Sequence, residues 1–294
     1  MADELVVQGI SAYLAKPAIR ENIESVIGKE HATSFISDIV ACVQQTPALA
    51  KCTNKSILSA GLVAKSINLP MTPQLGYTYL VPYDVKKEID GKKQYIKEAQ
   101  FQMGYKGYIQ LALKSGQYRK LLATDVREGE IVQQNPFDDY WEMNALPYEK
   151  RSAKNAQGEW LCPIVGYYAK YELINGFTKD LYVSADDMKA FAMKYSKAYR
   201  SDKDHHTTYS FWTTRYDDMA KKTMLRQLLG KWGLLTTEME KAYTCDMAVM
   251  DDAGNPVYVD NQPNDTEPTV NPMADIVDDV EFREISKQAD EVFK

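Results

Sequence analysis

An α+β fold follows from three patterns in this 294-residue chain. Apolar residues recur at helical spacing through residues 1–70, strand signals joined by turn dipeptides fill the middle, and a long amphipathic run precedes Gly233. The expected architecture is an antiparallel, hairpin-rich sheet packed against long helices. An N-terminal helical region precedes it, and an acidic, largely disordered C-terminal tail follows.

Each element has a local reason. Phe35, Ile36, Ile39, Val40 and Val43 share a helix face, and Asn54 is placed to cap a helix carrying Ile57, Leu58, Leu62 and Ile67. Leu69-Pro-Met-Thr-Pro-Gln-Leu-Gly76 is turn chemistry. Tyr77 to Tyr83 is aromatic and β-branched, Lys86 to Lys97 is a charged excursion tipped by Asp90-Gly91, and Ala99 to Met103 returns as its partner. A helix runs from Gly104 to Gly116. Further strands are expected around Lys120–Arg127 and Gly129–Gln134, and a hairpin over Val165–Leu173 and Lys179–Val183 turns at Asn175-Gly176. Ser184-Ala-Asp-Asp187 reads as a capping box opening a helix through Tyr195. A polar loop, Ser196 to Thr208, then leads to one long helix from Phe211 to Trp232.

Charge is distributed unevenly along the chain. Residues 246–294 hold thirteen acids against three bases, a net −10 within a total of −6. Residues 1–245 keep 32 bases and 28 acids, a net +4. A basic body with an acidic, proline-containing tail is an asymmetry that suits an anionic partner. The division expected is 1–70 helical, 71–245 the core, 246–273 a linker unable to bury enough surface to fold, and 274–294 a short amphipathic segment. No leader or membrane span is read from the chain, so a cytoplasmic location is expected. Cys42, Cys52, Cys162 and Cys245 lie too far apart for a zinc or disulfide pattern and are expected as reduced, mostly buried thiols.

The candidate chemistry is polyanion binding. At ~100° per residue, Arg215, Met219, Lys222 and Arg226 fall on one face of the Phe211–Trp232 run, with Lys221 at the margin of the opposite, apolar side. Such a row suits a phosphate backbone; it is equally the pattern of a solvated charged face. Tyr105, Lys106, Tyr108 and Lys114 cluster at a Gly-flanked helix, where amide N–H groups favour phosphate and a tyrosine can stack on a base. The bland alternative is a close-packed turn with tyrosines in the core. Tyr118-Arg119-Lys120, Lys194-Tyr195 and Tyr199-Arg200 interleave rings with cations. Asp202-Lys-Asp-His-His206 gathers possible metal ligands in what reads as a solvated loop. Asp138-Asp139 and Asp186-Asp187 are turn and cap chemistry. No phosphate-loop or nucleophile-elbow motif occurs.

Taken together, Leu69–Tyr83, Gln102–Gly116, Val126–Gly129, Gly166–Ala169 and Ser210–Thr223 resemble, in order, the RecT family of phage single-strand annealing proteins. One departure is Phe211, where proline is expected before Trp212. The resemblance implies a non-enzymatic, ATP-independent protein without cofactor or metal that binds single-stranded DNA and the annealed duplex intermediate in phage recombination. It implies a homo-oligomer, ring or helical filament, with the N-terminal helices as candidates for subunit packing. It also implies kinship with the phage Redβ and eukaryotic annealing proteins. By the same resemblance Lys106, Lys114, Arg215, Lys221, Lys222 and Arg226 would line a basic groove, and Tyr105, Ser210, Trp212 and Thr214 would contact the backbone or shape it. The tail would dock a companion phage exonuclease or the host single-strand binding protein. A passive single-strand coat protein, and a metal-dependent nuclease using Asp204 and His205, are the competing readings.

Overall fold

A computed structural model describes residues 9–89, 92–135, 140–251 and 254–258. The chain folds as two compact units, one formed by residues up to Leu111 together with those from Thr236, the other by Ala112–Leu235. Among the described residues the antiparallel strands form three sheets, of four, three and two strands.

In the first unit, a helical segment at 9–14 leads into α1 (Pro17–Ile27), α2 (Lys29–Gln45) and α3 (Asn54–Ser66). Pro17 suits the first turn of α1, where no amide hydrogen is required. The buried stripe of α2 is Ala32, Phe35, Ile39, Cys42 and Val43, the face the periodicity indicates. The cap of α3 differs by one residue from expectation: Thr53 accepts the Ser56 amide, and Asn54 is already helical. β1 (Thr78–Ile89) and β2 (Lys92–Met103) pair in continuous antiparallel register from Thr78↔Met103 to Ile89↔Lys92, so the charged excursion is the distal part of the hairpin. Its expected tip, Asp90-Gly91, lies outside the described residues. Among the described residues β1 pairs with β2 alone, and an edge strand is where Pro82 is tolerated.

The stretch from 246, expected to start a linker, is folded as far as Tyr258. After α10 (Thr237–Cys245), Asp246 is 1% exposed and accepts hydrogen bonds from the Met103 amide (2.8 Å) and the Tyr108 hydroxyl (2.9 Å). β8 (Ala248–Met250) then joins β2 at Phe101↔Ala248 and pairs with β9 (Pro256–Tyr258). Three-residue strands are too short to register as alternation, and an acid counted as tail serves the core. The rest of the expected linker and the segment 274–294 lie outside the described residues.

In the second unit, β3 (Tyr118–Arg127), β6 (Ile164–Leu173) and β7 (Thr178–Ser184) form a sheet in the order β3-β6-β7, and β4 (Ile131–Asn135) pairs with β5 (Tyr140–Met143). Asp138-Asp139 is outside the described residues. The β6–β7 turn contains Gly176 at φ +88°, the left-handed conformation that favours glycine. Tyr167, Ala169, Tyr171 and Leu173 are buried together on one face of β6, against α9 (Tyr216–Trp232). Ser184 caps α6 (Ala185–Tyr195) by accepting the Asp187 amide at 3.1 Å. The expected polar loop contains α7 (Lys197–His205), capped by Ser196. Among the described residues no helix is long and apolar enough to cross a membrane.

Candidate nucleic-acid interface

Of the residues singled out for DNA, Tyr105 and Lys106 belong to the first unit. They open α4 (Tyr105–Lys114), whose start is fixed by close backbone approach. The Gly104 amide donates to the Tyr77 carbonyl at 2.9 Å, and a Cβ on Gly107 would lie 2.3 Å from that same oxygen. A Cβ on Gly104 would meet the Gly76 carbonyl oxygen at 2.1 Å. The Gly-x-x-Gly spacing is therefore explained by packing alone. Tyr108, one of the two stacking candidates, is in the core on Asp246, whereas Tyr105 is half-buried and Lys106 exposed.

Lys114 and the remaining candidates belong to the second unit. Lys114 is exposed in the last turn of α4. The expected Phe211–Trp232 helix is broken into α8 (Phe211–Thr214) and α9, with Arg215 between them at φ −141°, ψ 53°. Phe211 is the first residue of α8, a position that proline also tolerates. Ser210 caps α8, its Oγ accepting the Thr213 amide at 3.1 Å, and the Thr214 hydroxyl donates to the Ser210 carbonyl at 3.0 Å.

What holds this turn in place is Asp202, which is 3% exposed. Its Oδ1 accepts from the Thr207 hydroxyl (2.6 Å) and the Tyr209 amide (3.0 Å). Its Oδ2 accepts from the Ser210 amide and the Thr213 hydroxyl, both at 2.7 Å. Burial alone would raise the carboxyl pKa; these four donors outweigh it and hold the group well below the ordinary carboxylate range. Asp202 is thus a structural anion joining α7 to the start of α8, and not a loop residue awaiting a metal. His205 turns away, its Nδ1 lying 3.0 Å from the Ser201 carbonyl. Among the described residues no three His, Cys, Asp or Glu side chains are grouped to hold a metal.

Trp212 is buried, its ring 5.4 Å from that of Tyr216, 6.1 Å from Phe191 and 6.3 Å from Tyr199. At 4% exposure it offers no open face for a base. Tyr216 is pushed up to about 12 by burial and then by Tyr199, Asp217 and Asp186, so its phenol stays protonated. Tyr167 is raised further, first by burial and then by donating to Asp217 at 2.6 Å. The interleaved tyrosines 118 and 199 are likewise core residues.

Thr214 and Arg215 are exposed, with the Arg215 guanidinium 5.9 Å from the Phe211 ring centre. The row continuing along α9 does not have the exposure its helical phase indicates. Lys222 is 3% and Arg226 1% exposed, within an unbroken buried stretch from Lys222 to Leu229. Both faces of α9 are covered, so the face expected to present cations is interior. Lys221, expected at the margin, is half-buried, with its Nζ 4.0 Å from Asp125. Asp125 also accepts from Arg127 Nε at 2.7 Å and Arg151 at 3.3 Å, and Arg151 bridges to Glu130 at 2.9 Å. Periodicity missed this cluster because its members come from one strand, the turn after it and two separate helices. Arg127 and Lys154 approach the Trp160 ring at 4.3 and 4.1 Å, another pairing without a local signal.

The sequence matches the RecT family over residues 33–258, and the chain belongs to that family. It is 32% identical over 285 residues to the uncharacterized protein YqaK of Bacillus subtilis (strain 168), covering 95% of this chain and 88% of that one. It is 27% identical over 239 residues to protein RecT of Escherichia coli (strain K12), covering 81% and 80% respectively. Membership of this family supports a role in recombination by single-strand annealing.

Proposed function

We propose that the protein is an ATP-independent, non-catalytic annealing protein that coats single-stranded DNA as a ring or helical homo-oligomer and pairs complementary strands. The observation that carries this reading is the family match across residues 33–258. The physical requirement is that strands be neutralised and held with their base edges free, so protein contacts go to phosphate and sugar. Lys106, Lys114 and Arg215 are exposed and suited to that task; Lys221 is half-buried, and Tyr105 offers a partly exposed ring. Ser210, Trp212 and Thr214 fix the turn that carries Arg215. Lys222 and Arg226 belong to the proposed set by helical phase, and their burial makes them the discriminating members: a DNA role requires that their loss weaken affinity beyond what it does to folding. A companion exonuclease and the host single-strand binding protein are the partners proposed for the chain beyond residue 258.

The test is pairing of two labelled complementary oligonucleotides by the full chain without ATP, with electron microscopy of the mixture. Accelerated pairing on ordered assemblies is expected. Retarded pairing would convert the reading to a passive coat, and shortened strands in Mg²⁺ would overturn it in favour of a nuclease.

A further inference from the structure

At the far end of the β6–β7 hairpin the second unit leaves large apolar side chains in solvent. Ile174, Phe177, Trp232 and Leu234 are between 41% and 63% exposed. Two buried tyrosines tie these residues into one surface. The Tyr171 hydroxyl donates to the Trp232 carbonyl, and its ring lies 6.1 Å from that of Phe177. The Tyr118 hydroxyl donates to the Leu234 carbonyl at 3.0 Å, and its ring meets Tyr171 edge-on at 5.5 Å. Between Trp232 and Leu234, a Cβ on Gly233 would lie 2.6 Å from both the Tyr118 hydroxyl and the Leu229 carbonyl, so the chain is pinned there. Hydrogen-bonded scaffolding of this kind fixes exposed apolar groups in position. A fixed apolar patch marks an interaction surface. Lys179 and Lys231 border it, their ammonium groups 4.2 and 5.5 Å from the Trp232 ring centre.

The chain itself supplies a segment of complementary chemistry. Residues 274–294 interleave Ile276, Val280, Ile285, Val292 and Phe293 with seven acids against three bases. The stretch separating Ala274 from Tyr258 spans about 50 Å when extended, a long tether for the segment. We propose that the Ile174–Phe177–Trp232–Leu234 patch is the dock for residues 274–294. The apolar side chains of that segment cover the patch, and its carboxylates face Lys179 and Lys231. Single-stranded DNA also combines negative charge with apolar faces and would find rings in Phe177 and Trp232, but Ile174 and Leu234 offer nucleobases nothing to stack on and match the aliphatic residues of the segment. The inference does not rest on the annealing reading.

The test uses the full-length chain without DNA, with p-benzoylphenylalanine introduced at Phe293. Irradiation is expected to cross-link peptides containing Ile174–Lys179 or Lys231–Leu234. Lys231→Glu and, separately, the exposed Ile174→Ser are each expected to lower that yield at least about threefold. Asp290→Lys with Glu291→Lys is expected to restore it in the Lys231→Glu chain. Cross-links spread over other surfaces, or a yield unmoved by both variants, would overturn the proposal. So would an oligonucleotide carrying 5-iodouracil that cross-links to this patch while Phe293 does not.

Discussion

Asp202→Ala removes four acceptor contacts in one step, and the structure allows its cost to be worked out. The Ser210 amide is buried and would lose its acceptor, Asp202 Oδ2; an unsatisfied buried donor costs about 1–3 kcal/mol. Thr207, Thr213 and the Tyr209 amide lie nearer solvent, where water replaces most of what is lost, so ~0.5 kcal/mol each is reasonable. The sum, about 3 kcal/mol, corresponds to a fall of roughly 12 °C in the melting temperature of a unit this size. Asn is not a rescue, because its amide hydrogens would face the donors now satisfied by one carboxylate oxygen. The pH dependence has a definite sign. The folded-state pKa is depressed, so the stabilisation is fully present above the ordinary carboxylate value near ~4 and is lost as pH falls through the folded value. Thermal melts of wild type and variant should therefore differ most at neutral pH and converge in strong acid. A drop below about 2 °C at pH 7, or a gap that widens on acidification, would refute the clamp.

Other expectations follow from neighbouring features. Arg215→Ala, at an exposed residue outside the core, should weaken oligonucleotide binding and reduce the slope of log K against log salt by about 0.7; an unchanged slope would remove Arg215 from the interface. Gly107→Ala should destabilise the first unit by at least ~2 kcal/mol, because a Cβ placed 2.3 Å from the Tyr77 carbonyl oxygen forces backbone apart, and an unshifted denaturation midpoint would contradict it. Burial pushes the Cys42 thiol up to about 11 and the Cys52 thiol up to about 12, and it raises Cys245 as well. Alkylation at pH 8 should therefore label half-buried Cys162 first and the others only on unfolding. Truncation after Tyr258 should preserve folding, whereas truncation after Cys245 should not, since it deletes Asp246 and Val249 from the core; circular dichroism melts distinguish the two.

How far the sequence revealed this fold depends on the range of the interactions involved. The α2 stripe, the Asn175-Gly176 turn and the Ser184 cap were legible because each is decided within a few residues by periodicity, positive φ or a side chain bonding its own helix start. The β8–β9 addition and the α7 helix were not legible. The first consists of strands too short to alternate, and the second is composed of residues such as Ser, Lys, Asp and His that read as loop until Ser196 and Asp202 are seen to anchor both ends. In the candidate site, the Ser210–Thr223 motif was legible, but the break at Arg215 inside the expected helix and the support beneath it were not. Asp202 reaches donors at positions 207 to 213 through a chain reversal that no spacing rule encodes.

The basic row on α9 shows why helical phase alone is a weak guide to a binding face. Phase fixes which residues share a side of a helix, while exposure depends on what packs there, and α9 is covered on both sides. Burying a lysine and an arginine is costly unless other groups compensate them, so Lys222 and Arg226 do structural work in this unit whatever else they do. Their substitution would therefore lower both stability and DNA affinity, and affinity alone cannot assign them to the interface. The separating comparison is Arg226→Lys against Arg226→Met. Lysine keeps the charge with poorer geometry, while methionine keeps much of the volume without the charge. If Arg226 meets phosphate, the lysine variant should retain most of the salt slope and the methionine variant lose about 0.7 of it, even where methionine folds as stably. If the slopes are equal and only the melting temperatures differ, Arg226 belongs to the core and the interface is carried by the exposed cations.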